Sequence, residues 1–321
     1  MILCVTINPL LERRFIFSEI KNGTENRDGL LKLKAGGKGI NVSRQLNNLK
    51  VENLSFTFLG GTNGKILREI LLEEKIKFTS IKTKSKTREA AIIIDETSNK
   101  ISTFFSQNSK ILKEEVEEFK ARLERMIETS EIVIFSGSSP SEETDFIFPF
   151  GIETANNYDK ISICDTYGKH LKNCLENSPT IVHNNINEAE NSLNINLNDE
   201  KNKLQFLNDL YKKGIKQIYL TDGANNTFAS NFDFNFKVEN PSIKIKDSTG
   251  SGDAFVSGIA YSWHNNFTFE EGLMLASKLG IINTSKMETC NVTLQEVEEL
   301  KLYPKIIPIG KKIKTIDAPI N

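Results

Sequence analysis

The chain has 321 residues, and 41 Lys+Arg against 42 Asp+Glu leave a formal charge of -1. That balance excludes a bulk electrostatic pull toward nucleic acid or an anionic membrane, so any anion site must be local. The length suits one large domain or two ordinary ones with a full core, and no run approaches the ~20 apolar residues of a membrane span.

The first apolar run, 2–7, is of strand length; it is too short for a signal peptide and has no basic segment before it, which points to a cytoplasmic protein. Further runs at 54–59, 131–136, 161–165, 180–182 and 216–221 are mostly followed by helical spacing, the rhythm of a parallel sheet with helices on its faces. Two segments break it. Residues 12–34 and 87–106, the latter holding "REAAIIID" and "KISTFF" as consecutive strands, predict a small sheet projecting from the main layer. Helix-period stripes follow at Leu112, Val116, Phe119, Leu123 and Met126, at Leu204, Leu207 and Leu210, and at Phe269, Leu273 and Ala276, all read as core faces. The closing segment, "LYPKIIPIGKKIKTIDAPIN", is read as a poorly ordered or packing extension without a role. Cys4, Cys164, Cys174 and Cys290 are scattered, which suits reduced, buried thiols. His170, His183 and His264 have no metal-ligand spacing.

Three glycine-bearing stretches stand out, of which the last two, at 35–46 and 245–258, are the clusters that could serve a ligand. "GGTNGKI" at 60–66 has the wrong spacing for a Walker A loop and no hydroxyl after Lys65, and Gly250 and Gly252 are followed by Phe255 where a dinucleotide fingerprint needs a third glycine. "AGGKGINVSRQL" at 35–46 runs into a helix and can lay backbone amides and an ammonium against a small polar ligand, or form a tight turn with a solvated lysine. "IKDSTGSGDAFVSG" at 245–258 leads three small residues into a helix start, where exposed amides attract anions. Asp253 there either complements the helix dipole or does chemistry beside the nest.

The two clusters together, in this order, resemble the signatures of the phosphofructokinase-B (ribokinase-like) family of sugar kinases: "GGKGINVSR" the sugar-binding signature and "DSTGSGDAFVSG" the second. "VTINP", "TREA", "SGSSP" and "NNINEAE" extend the resemblance over nearly the whole chain to about residue 300. The chain is most similar to the branch holding tagatose-6-phosphate kinases and 1-phosphofructokinases, and "KMETCNV" at 286–292 leans to the former.

The resemblance implies one kinase domain over 1–321, a three-layer α/β/α fold with a mostly parallel central sheet and a small β lid, and ATP-dependent phosphorylation of a hydroxyl on a ketohexose phosphate. It implies Asp253 as general base beside an anion hole of the Gly250, Ser251 and Gly252 amides. Arg88 would grip the sugar phosphate with Arg27 and Lys38, while Glu12, Gly36, Gly37, Asn41 and Ser138 would contact the sugar or its phosphate. Asn185 and Glu188 would place Mg²⁺ and the ATP phosphates through water, with Glu188 facing the metal, and Thr221 and Gly223 would lie near the nucleotide. The exposed lid sheet offers an edge for a second copy of the chain.

Several matched positions depart from the family pattern. Glu12 replaces an aspartate, His183 and Asn184 replace Lys-Pro before Asn185, and Thr221-Asp222-Gly223 replaces Ser-Leu-Gly. Asn226 replaces a glycine, and Asn108 and Ser109 stand where Gly-Pro is usual. Together they define the alternative: a kinase fold that binds sugar phosphate or nucleotide with little or no turnover. Arg88 argues against a third reading, a kinase of unphosphorylated sugars or nucleosides.

Overall fold

The structure is a computed structural model and describes residues 1–309. In chain order the elements are β1 (Ile2–Thr6), β2 (Leu10–Phe17), β3 (Leu30–Gly36), α1 (Lys38–Asn48), β4 (Asn53–Gly60), α2 (Gly61–Glu73), β5 (Phe78–Thr83), β6 (Glu89–Asp95), β7 (Lys100–Phe105) and α3 (Lys113–Glu128). They continue with β8 (Ile132–Ser136), α4 (Ile147–Asn157), β9 (Ile161–Asp165), α5 (Leu171–Glu176), β10 (Ile181–Asn185), α6 (Ile186–Leu193), α7 (Glu200–Lys212) and β11 (Gln217–Thr221). The last are β12 (Thr227–Asn231), β13 (Phe234–Glu239), α8 (Ser251–His264), α9 (Phe269–Thr284), α10 (Leu294–Glu299) and β14 (Lys305–Ile309).

Ten strands form the main sheet in the order β14-β13-β12-β11-β10-β9-β8-β1-β4-β5. The run from β11 to β5 is parallel, and β12, β13 and β14 are added antiparallel at one edge. The parallel strands read as continuous apolar runs because both faces are covered. On β1, Leu3 and Val5 enter the core with α3 and α4, while Ile2 and Cys4 enter the opposite core with α1, α8 and α9. Helix α3 seats Val116, Phe119, Leu123 and Ile127 on the sheet, with Phe119 stacked 3.9 Å from Phe56. Full burial of such a side chain stabilises by roughly 1.5–3 kcal/mol.

The expected stripe was one position early at its end: Leu112 is the N-cap of α3, and Met126 packs only at the margin of the core. The segment "GGTNGKI" forms the first turns of α2, whose Leu67 and Leu71 are buried beneath Ala35 of β3. The C-terminal extension is partly a correction: residues 305–309 form β14, paired with β13, and residues 310–321 lie outside the described residues. The four cysteines are free and buried. Among the described residues no helix is long and apolar enough to cross a membrane.

The second sheet has the order β3-β2-β6-β7 and comes from the two segments that broke the rhythm, with 18–29 as a loop rather than strand. Register gives its two faces different characters. Leu33, Arg13, Ala91 and Phe104 share one row and Leu31, Phe15, Ile93 and Ser102 the next, with Leu31, Leu33 and Phe104 exposed. Glu12, Lys34, Ala90 and Arg14 point the other way, and Glu12 and Arg14 are buried against the main body.

Candidate active site

In an open parallel sheet, ligands sit beyond the carboxyl ends of the strands. Five strand ends here carry polar side chains toward one another: Asn8 just after β1, Ser136 and Ser138 at β8, Asp165 closing β9, His183 and Asn185 on β10, and Thr221 closing β11. Facing them are the starts of α1 and α8.

Helix α8 begins after Gly250, whose φ of 76° is left-handed and whose missing side chain admits the Thr289 methyl; an added Cβ would stand 2.2 Å from it. Only glycine tolerates both conditions. The first helical bond runs from the Ala254 amide to the Gly250 carbonyl, so the Gly250 and Gly252 amides precede the ladder, as at any helix start. The Ser251 amide already donates to the Ser248 carbonyl at 3.2 Å, so one of the three expected anion-hole donors is engaged in closing the turn.

Asp253 lies on the buried side of this first turn and accepts a hydrogen bond from Asn41 Nδ2 at 2.7 Å. The Asn41 amide oxygen is fixed in turn by Arg44 Nη1 at 2.6 Å. Burial pushes the Asp253 carboxyl up to about 7; the Lys38 ammonium works against this, the Asp165 carboxylate adds to it, and the Asn41 hydrogen bond and Glu188 follow. A carboxyl that exchanges its proton near neutrality beside helix-start amides can take the proton of a bound hydroxyl as charge builds on a neighbouring phosphoryl group.

Lys38, the first residue of α1, bridges Glu188 Oε1 at 2.8 Å and Asp165 Oδ1 at 3.3 Å. Burial works against its charge, but Asp165, Glu188 and Asp253 outweigh that and hold the ammonium well above its usual range. Asp165 is fully buried and also accepts from Ser136 Oγ at 2.6 Å and pairs with His183 Nδ1 at 2.9 Å. Burial would raise its carboxyl, yet Lys38, His183 and Ser136 together keep it below the ordinary carboxylate range. His183 reaches Thr221 Oγ1 through Nε2 at 3.3 Å, and its ring stacks on Phe255 of α8 at 5.4 Å. Asn185 caps α6, accepting from the Glu188 amide at 2.8 Å.

At the other end, Arg88 Nη2 donates to the Asn8 carbonyl at 3.1 Å and Nη1 to Asn108 Oδ1 at 3.4 Å. Asn8 Nδ2 reaches Ser138 Oγ at 3.0 Å and Asn108 Oδ1 at 3.2 Å. Two buried polar atoms in this corner, Arg88 Nε and Asn8 Oδ1, have no partner. Unsatisfied buried groups of this kind are costly, and a donor beside an acceptor suits an oxygen-rich ligand.

The expected residues therefore divide. Asp253, Asn41, Lys38, Glu188, Asn185 and Thr221 form one connected cluster, and Arg88 and Ser138 a second one linked to it through β8. Gly36 and Gly37 join β3 to α1, and Gly36 abuts Glu12, where an added Cβ would stand 2.6 Å from Oε1. Arg27 stands apart, exposed on the 18–29 loop and paired with Glu25, and Gly223 sits exposed in the turn after β11. Asp222, an unfavourable charge were it to face phosphate, turns to Lys203 Nζ at 3.6 Å. Sequence reasoning missed Asp165, Asn8 and Arg14. An acid or amide closing an apolar parallel strand was the available signal for the first two; Arg14 had none.

A model of the pfkB family carbohydrate kinases matches residues 10–296. The chain belongs to that family. Among curated pfkB-type relatives, tagatose-6-phosphate kinase of Staphylococcus epidermidis is 28% identical over 312 residues, 96% of this chain and all of that one. A possible 1-phosphofructokinase from Thermotoga maritima superposes with a TM-score of 0.88 at 22% identity, covering 96% of this chain and 99% of its own. Phosphofructokinase-2 from Escherichia coli, in complex with potassium, gives 0.86 at 20% identity over 93% and 97%. The fold is thus the ribokinase-like one that pfkB kinases share.

The family implies a divalent metal. Among the described residues no cluster of three His, Cys, Asp or Glu could cage one. The half-buried Glu188 carboxylate at the start of α6 is a hard oxygen donor, and it suits Mg²⁺, which keeps several waters and binds through one or two carboxylates plus phosphate oxygens.

Proposed function

We propose that this pfkB kinase transfers the γ-phosphoryl group of ATP to a hydroxyl of a ketohexose phosphate, making tagatose 1,6-bisphosphate from tagatose 6-phosphate or fructose 1,6-bisphosphate from fructose 1-phosphate. The observation that carries the reading is the buried Asp253 carboxyl, raised to about 7 and held by Asn41 at the first turn of α8, beside unladdered glycine amides. Asp253 takes the hydroxyl proton while the sugar oxygen forms its bond to the γ-phosphorus and the bond to the β-phosphate oxygen breaks, releasing ADP. The Gly250 and Gly252 amides receive the charge on the transferring group, while the Ser251 amide, bonded to the Ser248 carbonyl, holds the turn that presents them.

Arg88 would meet the phosphate the sugar already carries, with its unpartnered Nε and the Asn8 amide oxygen nearby. Glu12, Gly36, Gly37, Asn41 and Ser138 would line the sugar, and Lys38 would bridge the sugar and nucleotide ends. Thr221 and Gly223 would flank the nucleotide phosphates. Glu188, with Asn185, would hold Mg²⁺, which supplies charge neutralisation on the phosphates. The apolar outer face of the small sheet, with Leu31, Leu33 and Phe104, suits a second copy of the chain. The names of the curated relatives support the phosphorylated-sugar class.

A coupled ADP-release assay with tagatose 6-phosphate, fructose 1-phosphate, fructose 6-phosphate and the unphosphorylated sugars tests this. Turnover on a sugar phosphate but on no neutral sugar is expected. Turnover on none, with ligand-induced thermal stabilisation intact, would instead identify a binding protein.

A further inference from the structure

Arg14 is an odd residue to bury. It sits on β2, two positions from Glu12, and is only 3% exposed. Its Nε donates to Glu12 Oε2 at 2.9 Å, Nη1 to the Met287 carbonyl at 3.3 Å and Nη2 to Thr289 Oγ1 at 3.5 Å, while Asp247 Oδ2 lies 3.9 Å away. These partners belong to three parts of the molecule: the small sheet, the segment after α9, and the approach to α8. Opposite Glu12 on β3, Lys34 Nζ pairs with Glu288 Oε2 at 2.5 Å, a second tie between the small sheet and the same segment.

The segment 287–290 also backs the glycine nest. The Thr289 methyl fills the space left by the missing side chain of Gly250, and Cys290 Sγ reaches the Gly250 carbonyl at 3.4 Å. Asp247 accepts from the Thr249 amide at 2.8 Å and so shapes the entry to the nest. One guanidinium therefore touches both the carboxylate offered to the sugar and the two supports of the α8 anion site.

We infer that Arg14 is a positioning residue that couples the sugar-facing carboxylate of Glu12 to the anion nest at the start of α8, with Lys34–Glu288 as a second fastening. The inference rests on the kinase reading above. It also accounts for Glu12 where the family pattern has aspartate: the extra methylene carries one carboxylate oxygen to Arg14 while Oε1 stays beside Gly36. Arginine suits the task because its planar fork serves several acceptors in fixed directions, which a lysine cannot do.

The test uses the full chain with substitutions Arg14→Gln, Arg14→Lys, Glu12→Asp, Lys34→Gln and Thr289→Val, scored by kcat, by KM for each substrate, and by calorimetric binding of tagatose 6-phosphate and fructose 1-phosphate. Arg14→Gln is expected to raise the sugar-phosphate KM about tenfold and to lower kcat about tenfold while leaving the ATP KM within about twofold, the split expected of lost positioning rather than lost fold. Arg14→Lys should recover part of both losses. Glu12→Asp, although it restores the usual residue, should weaken sugar binding about tenfold because the shorter side chain cannot meet both Arg14 and the ligand. Should Arg14→Gln fail to fold, Lys34→Gln and Thr289→Val decide, each expected to raise the sugar-phosphate KM severalfold.

Unchanged kcat and sugar KM in the folded Arg14 or fastening variants, whatever their melting temperature, overturn the inference, as does tighter sugar binding by Glu12→Asp. A wild-type chain that binds a sugar phosphate without turnover refutes the kinase reading alone, and the binding constants of the same variants then judge the coupling. A wild type that binds neither ligand overturns both.

Discussion

Replacing Asp253 by Asn separates chemistry from stability in a way few substitutions do. The variant keeps the shape and an oxygen for Asn41 Nδ2, now 2.7 Å from the carboxylate, but cannot accept a proton. General-base loss corresponds to a fall in kcat of about 10²–10⁴-fold, with the KM for either substrate little moved. Stability should move the other way. A carboxyl raised from 3.8 to about 7 by burial favours the protonated folded state. Below about pH 4 both states are protonated and the penalty is absent; it grows as pH rises toward 7 and is complete above it. The full gap corresponds to at most roughly 4 kcal/mol, so a net gain on the order of 2 kcal/mol for Asn at pH 8 is a reasonable expectation. Scanning calorimetry should show a melting temperature several degrees above wild type at pH 8 and a much smaller difference at pH 5. Turnover within tenfold of wild type, or an equal change at both pH values, would refute the reasoning.

The pH–rate profile of kcat/KM should carry an acid limb with a midpoint near 7, because Asp253 must be ionised to accept the proton, and Lys38→Met should move that limb to higher pH by removing the strongest opposing charge. Arg88→Met should raise the sugar-phosphate KM about 10–100-fold, the loss of a charge-assisted hydrogen bond worth roughly 1.5–3 kcal/mol, and leave the ATP KM near wild type in the same assay. Asp165→Asn strips Lys38, His183 and Ser136 of a shared buried carboxylate and should cost about 3–5 kcal/mol in urea denaturation. Because that carboxyl is lowered in the folded state, its contribution is present above pH 3.8 and fades as pH falls below that value, so the gap to wild type should narrow in acid. Introducing Lys at Phe104 and Leu31 should lower the sedimentation coefficient if the outer face of the small sheet joins two copies.

The parallel sheet was legible because each strand buried on both faces writes an unbroken apolar run, and β1, β8, β9 and β11 fell within a residue of their expected bounds. The strands that were missed, β5 and β12 to β14, lie toward the sheet edges, where residues such as Lys82, Asn235 and Lys237 dilute the signal. Asp253 and Lys38 stood out because glycine-rich turns adjoin them and local backbone demands leave a local trace, whereas the roles expected of them and of Glu188 came from the resemblance to the family. Asp165 and Arg14 were not. Their importance lies in partners tens to hundreds of residues away, such as His183 for one and Thr289 for the other, and pairings of that range leave no periodicity to detect. The spent Ser251 amide was equally out of reach, because it depends on how the turn closes on Ser248.

The groups gathered beyond the strand ends span Asn8 to Thr289, almost the full described length, and both sheets contribute. During synthesis, then, the growing polypeptide should gain no capacity to hold nucleotide and sugar together until Thr289 is in place, and activity should arrive abruptly once the segment behind the nest clears the ribosome. Halves of the molecule expressed apart would be silent until they reassemble, which makes regained turnover a direct reporter of that reassembly.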